Sequence, residues 1–158
     1  MNDDIIATID ANGPRRFVGV GMLLMLGGLL LYIAFARPPE SMGWQAVLVA
    51  FGVFALWFAQ KLQVATTKKL LLTKDALVDS DGTVLTRIED VAAVERGMFA
   101  IKPSNGFMLK LKTPAPREWH PGLWWRLGRR LAVGGVTPGS QTRPMADIIA
   151  VIIAERDA

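Results

Sequence analysis

FVGVGMLLMLGGLLLYIAFA (Phe17–Ala36) and WQAVLVAFGVFALWFA (Trp44–Ala59) contain no charged residue, and only the seven residues RPPESMG separate them. A helix needs about 20 apolar residues to cross the hydrocarbon core of a bilayer. The first run has that length, and the second approaches it with Leu62 and Val64. Pro38 and Pro39 cannot continue a helix, so the first run ends cleanly. The pair predicts a transmembrane hairpin over 17–64, with spans at 17–36 and 44–62, preceded by an arm over 1–16 and followed by a domain over 65–158.

Charge sets the expected orientation. Arg15 and Arg16 precede the first run, and Lys61, Lys68 and Lys69 follow the second, while the connection holds only Arg37 and Glu40. Basic residues near span ends stay in the cytoplasm, so both termini are expected there and the chain is multi-pass. Trp44 and Trp57 suit the interfacial zones, and Lys61 can snorkel. A twin-arginine export signal cut after Ala34-Phe35-Ala36 competes with this reading. The first run is longer than a signal core, and a second run follows at once. Small residues let helices approach closely in lipid, which marks Gly21, Gly27 and Gly28, along with Gly19, and Gly52 in the second run, as packing positions.

Composition removes whole classes of chemistry. The 158 residues include no cysteine and one histidine, His120. Thiolate metal sites, iron–sulfur clusters, a cysteine nucleophile and a multi-histidine metal site are excluded within one chain. No acid pair or nucleophile–base arrangement stands out, so no catalytic residue, cofactor or metal is expected and the chain reads as a non-enzyme. Gly134-Gly135 lacks the Gly-Lys-Ser/Thr of a phosphate loop. Asp75, Asp79, Asp81 and Gly82 resemble a calcium loop faintly, but Leu77 breaks the alternation and a polar hairpin turn is the simpler reading. His120, in Trp-His-Pro-Gly, reads as a loop residue.

The later segment changes pattern. KLLLT (Lys69–Thr73), ALV (Ala76–Val78) and TVLTRI (Thr83–Ile88) predict strands, with a turn at Asp79–Gly82 where Asp-Gly accepts positive φ. VAAVERG and MFAIK predict one or two more strands, and FMLKLKT (Phe107–Thr113) follows a second turn at Pro103–Gly106 with the alternation of an amphipathic strand. LAVGGV (Leu131–Val136) predicts a short strand. A C-terminal helix is expected over 143–156, with Thr142 as N-cap, Pro144 in the first turn and an apolar face of Met145, Ile149 and Ile152.

Between them lies TPAPREWHPGLWWRLGRR. From Lys102 to Arg130 there are seven basic residues and one acid, Glu118. A helix from Gly122 would align Leu123, Leu127 and Leu131 and place the arginines elsewhere, the build of an interfacial helix. Trp119, Trp124, Trp125, Arg126, Arg129 and Arg130 are therefore the candidate surface for lipid or a protein partner. Stacked aromatics with arginines also bind single-stranded nucleic acid. Beside two membrane spans the lipid reading is preferred, and no nucleic-acid partner is expected.

The stretch LLLTKDALVDSDGTVLTRIEDVAAV, with its strand ending in Leu-Thr, its hairpin and its IEDV step (Ile88–Val91), resembles the opening of bacterial pleckstrin-homology-like membrane proteins. NGFMLKLKT resembles their next core strands, and the likeness covers residues 44 to 154. It implies an α+β protein: a two-helix hairpin, then a small antiparallel β-barrel or sheet capped by a C-terminal helix. It also implies a bacterial inner membrane and a tethered binding module. Eukaryotic members use a basic loop between their first strands, a place taken here by the acidic turn Asp79–Gly82, so phosphoinositide recognition is not carried over. The resulting expectation is a scaffold or accessory subunit whose partners are membrane lipids and a membrane protein or a second copy of the chain. An envelope-stress or lipid-sensing module is the alternative, and an enzyme ranks last.

Overall fold

Four of the six residues in Ile5–Asp10 are β-branched, and this segment is the first strand, β1, of a sheet rather than a free arm. The computed structural model describes residues 5–11, 13–95 and 103–158. β1 pairs antiparallel with β2 (Lys69–Thr73), in a register running from Ile5↔Thr73 to Asp10↔Lys69, and an Asp10–Lys69 ion pair of 3.1 Å closes the end of the ladder. The chain therefore leaves the sheet after β1, passes through two helices, and returns beside the strand it left.

Those helices are α1 (Pro14–Ala36) and α2 (Met42–Thr66), and both are long and apolar enough to cross a membrane. Each outruns its apolar stretch by a few residues. Pro14 supplies the first turn of α1, where its missing N–H costs nothing. The less exposed positions of α1 include Val20, Leu23, Gly27, Leu30 and Ala34, and those of α2 include Gly52, Ala55, Ala59 and Leu62. Their spacing alternates three and four residues, the seam of an antiparallel helix pair. Most other apolar side chains of the pair, such as Phe17, Met25, Phe35 and Phe51, are exposed. Helices apolar on all sides need an apolar surrounding.

The β unit, residues 1–13 with 65–158, is compact separately from the helical unit, residues 14–64. Its first sheet runs β1-β2-β3-β4, with β3 at Ala76–Asp79 and β4 at Val84–Arg87. A 3-10 turn at Ile88–Asp90 leads to the second sheet, β5-β6-β7, formed by Val91–Glu95, Phe107–His120 and Trp124–Val133. Every pairing is antiparallel. Among the described residues no strand of one sheet pairs with a strand of the other, so the sheets do not close into a barrel. The expected MFAIK strand lies outside the described residues. Leu70, Leu77 and Leu85 from the first sheet share one core with Leu109, Leu131 and Val133 from the second.

α3 (Gly139–Asp157) completes that core with Met145, Ile149 and Ile153. The helix starts earlier than expected, and Pro138, not Thr142, is its N-cap. Thr142 is buried inside the helix and its hydroxyl donates to the Asn105 carbonyl at 2.5 Å, tying α3 to the Pro103–Gly106 turn. At the other end the Arg156 guanidinium donates to the carbonyls of Ile88 (3.0 Å), Glu89 (3.3 Å) and Val91 (3.0 Å), the link between the sheets. Its bond to Asp157 holds that carboxyl below the ordinary aspartate range and raises the guanidinium's own pKa.

Asp79 is buried, and its Oδ1 accepts the N–H groups of Asp81 (2.9 Å) and Thr83 (3.0 Å). Lys68 approaches Asp79 at 3.4 Å and Asp81 at 2.7 Å. The hydrogen bond to Asp81 is the main reason its ammonium pKa lies above the ordinary lysine value. These carboxylates serve a turn and an ion pair.

Candidate functional site

The Trp-rich segment is a β-ribbon, not the interfacial helix expected from Gly122. Pro121-Gly122 makes a tight turn, with Gly122 at φ +80° and the Leu123 N–H donating to the His120 carbonyl at 3.1 Å. Among the described residues β5 pairs with the Met108–Leu111 part of β6. Beyond it β6 and β7 continue as a two-stranded ribbon, from Ala115↔Gly128 to His120↔Trp124. Pro114 and Pro116 fall in this stretch, where their missing N–H removes no bond to β5. The register shifts beside Ala115, and Gly128 sits at φ +57° there. The bulge splits the leucine row: Leu123 and Leu131 are buried, whereas Leu127 is 55% exposed.

The ribbon has two faces. On one, the cross-strand pairs are Glu118↔Arg126 and His120↔Trp124. Trp124 is fully buried in the core, with His120 stacked on it at 4.7 Å and the Arg126 guanidinium 5.8 Å from its ring centre. Glu118 bridges His120 (3.2 Å) and Arg126 (3.0 Å). Arg126 also donates to the carbonyls of Pro116 (2.9 Å) and of Leu85 on β4 (2.6 Å). It is a clamp between the ribbon and the first sheet, and Trp124 is a core residue. His120 thus has a carboxylate neighbour that its sequence context does not reveal.

On the other face Trp119 stands directly opposite Trp125. Trp119 is 54% exposed and Trp125 half-buried. Strand alternation places Arg117 and Leu127 beside them, around an open groove of about 380 Å³ that Glu118 and Arg126 also line. Arg129 and Arg130 are exposed farther along β7, and Arg130 pairs in register with exposed Lys110. Of the six expected residues, the ribbon therefore brings Trp119 and Trp125 together outside and places Arg129 and Arg130 along the same strand. Leu127 and Arg117 were not singled out by sequence, although alternation outward from Pro121-Gly122 marks both.

The glycines separate equally clearly. A Cβ at Gly27 would lie 2.8 Å from Leu56 side-chain atoms and 3.0 Å from the Gly52 carbonyl oxygen, and one at Gly52 would lie 2.9 Å from Leu31 and 3.2 Å from the Gly27 carbonyl. These two glycines face each other where the helices touch. Gly21 and Gly28 have nothing within 4 Å of that position.

Replacing Arg126 with Gln is expected to cost the β unit about 2 kcal/mol, since its charged donors reach a carboxylate and two carbonyls. Arg129→Gln should stay within about 0.5 kcal/mol, as exposed positions do. Chemical denaturation followed by tryptophan emission compares the two; equal losses would contradict the clamp.

Among the described residues no group of three or more His, Asp or Glu side chains is placed to hold a metal ion. No family model, curated protein or solved structure matches the chain in comparison.

Proposed function

We propose that this chain is a non-enzymatic, membrane-anchored binding or scaffold protein of a bacterial inner membrane, with both termini in the cytoplasm and a pleckstrin-homology-like domain held at that face. It would serve as an accessory subunit, docking a membrane-protein partner or a second copy of itself. The observation that carries this reading is the β1–β2 pairing. A chain that leaves a folded domain and re-enters it beside the same strand crosses a bilayer an even number of times, and two apolar helices with a short connection do so once each way. Four-plus-three antiparallel strands with a C-terminal helix support the domain likeness. On that likeness the loop between the first two strands is the helical hairpin itself, not Asp79–Gly82. The basic headgroup loop of eukaryotic relatives thus has its place taken by the anchor.

The natural absence of cysteine makes the test clean. Single cysteines are placed at Ile5 in β1, Ser41 in the connection and Lys74 between β2 and β3. In intact cells an impermeant maleimide should label only Ser41→Cys; Ile5→Cys and Lys74→Cys should react only after permeabilisation. Labelling of Ser41→Cys and Lys74→Cys from the same side would overturn the hairpin, and the reversed pattern would overturn the orientation.

A further inference from the structure

We infer that the outer face of the β6–β7 ribbon, Trp119, Trp125 and Leu127 with Arg117, together with the exposed Arg129 and Arg130 farther along β7, docks into the headgroup layer of an anionic bilayer. This rests on the membrane-anchored reading, which keeps the β unit beside lipid. Three observations favour a bilayer over a protein partner. First, the apolar groups on this face are an exposed indole, a half-buried indole and an exposed leucine, and an amphipathic ring is comfortable at headgroup depth. Second, exposed cations accompany them, Arg117 on this face and Arg129 and Arg130 farther along β7, while the nearby acid Glu118 is bonded to Arg126 and His120. Third, Lys110 lies directly opposite Arg130 in the ladder. Like charges so placed repel, and a layer of phosphates over both relieves the repulsion without requiring a matching shape. A planar anionic surface asks only for charge and wedge residues, which is what this face presents.

The ribbon's construction fits that use. Its inner face is fastened through Trp124 in the core and through Arg126 on the Leu85 carbonyl. The indoles are therefore carried on a braced element, so ordering them at the bilayer costs little conformational entropy.

The test uses the full chain reconstituted in vesicles, with an environment-sensitive nitrobenzoxadiazole label on Leu127→Cys and, as control, on Lys74→Cys. Vesicles are phosphatidylcholine alone, or equal parts phosphatidylglycerol and phosphatidylcholine. With phosphatidylglycerol the label at 127 should shift to the blue and be quenched by spin-labelled lipid. High salt should reverse both changes, and the label at 74 should show neither. Arg117→Gln, Arg129→Gln and Arg130→Gln together should abolish the shift, whereas the three Arg→Lys changes should retain most of it, which separates lost charge from lost folding. A water-like label at 127 in every vesicle, with the chain still floating with the lipid, overturns this inference and leaves the anchor standing. A blue shift indifferent to phosphatidylglycerol and to the Gln changes also overturns it. Failure of the chain to float with either vesicle overturns the anchor and the docking together.

Discussion

Gly106→Ala is expected to abolish folding of the β unit. A Cβ at this position falls on the Val133 carbonyl oxygen and lies 2.8 Å from the Gly134 Cα. Both obstacles are backbone, so no rotamer change relieves them. The crowding is built in from several sides. Gly106 immediately precedes β6, whose first residue, Phe107, pairs with Val133 at the end of β7. The Gly134 N–H donates to the Leu123 carbonyl at 2.9 Å, and Gly135 donates to Ser104 at 3.1 Å. Gly134 and Gly135 sit at φ +145° and +129°, where side chains are strained, and a Cβ on Gly135 would lie 2.8 Å from the Gly122 carbonyl oxygen. The start of β6, the ribbon turn and the exit of β7 meet there at backbone distance. Displacing them opens the core around Phe107, Leu123 and Val133, all buried. A loss above about 4 kcal/mol follows from that mechanism, comparable to the whole stability of many small domains. Near-ultraviolet circular dichroism and protease resistance are the readouts. Gly139→Ala is the control, because its Cβ would meet nothing closer than 3.6 Å and alanine favours the helix that begins there. A Gly106→Ala protein that melts with the wild type would rule out this backbone packing.

The same region shows where sequence reasoning works and where it stops. The helices are legible because a bilayer-length apolar run is a local property. Their ends are less so: Leu62 continues the buried spacing of Gly52, Ala55 and Ala59 after Lys61 has interrupted the apolar run. The strands β2, β3 and β4 are legible because short turns, Lys74-Asp75 and Asp79–Gly82, fix their register over a few residues. β1 is not, since its partner β2 lies across the whole hairpin; the largely β-branched run Ile5-Ile6-Ala7-Thr8-Ile9 is the signal that was available. In the ribbon, two periodicities compete. Leu123, Leu127 and Leu131 match a helix, whereas Pro121-Gly122 favours a turn and Gly122 and Gly128 take up positive φ. Backbone chemistry decides, because a glycine-bearing turn excludes the helix before its apolar row can count. The Arg126 clamp and the Glu118–His120 contact depend on cross-strand register, and residue types alone do not give that register.

Gly27→Leu is expected to split the helix pair, while the same change one residue on, Gly28→Leu, leaves it intact. On the membrane-anchored reading proposed above, the surrounding lipid tails are as apolar as the helices, so no hydrophobic force holds the pair together and close packing must. Gly27 packs against Gly52, each with the other's carbonyl within 3.0–3.2 Å of where a Cβ would stand. A leucine at 27 meets both Leu56 and that carbonyl, so the seam must widen; overpacking of this kind costs about 1–3 kcal/mol. Gly28 faces away, with nothing within 4 Å of an added Cβ. A Gly19→Cys/Leu62→Cys pair reports on the seam, because a Cβ at Gly19 would rest 3.6 Å from Leu62. Cross-linking of that pair in membranes should slow roughly tenfold with Gly27→Leu, which corresponds to about 1.4 kcal/mol. It should be unchanged with Gly28→Leu or Gly21→Leu, where adding the same bulk meets no neighbour. Equal slowing by Gly27→Leu and Gly28→Leu would mean that bulk anywhere on α1 disturbs it and that the Gly27–Gly52 contact does not hold the helices. Slowing by Gly27→Leu alone would assign helix pairing to one glycine face and leave the other face of α1 available to lipid.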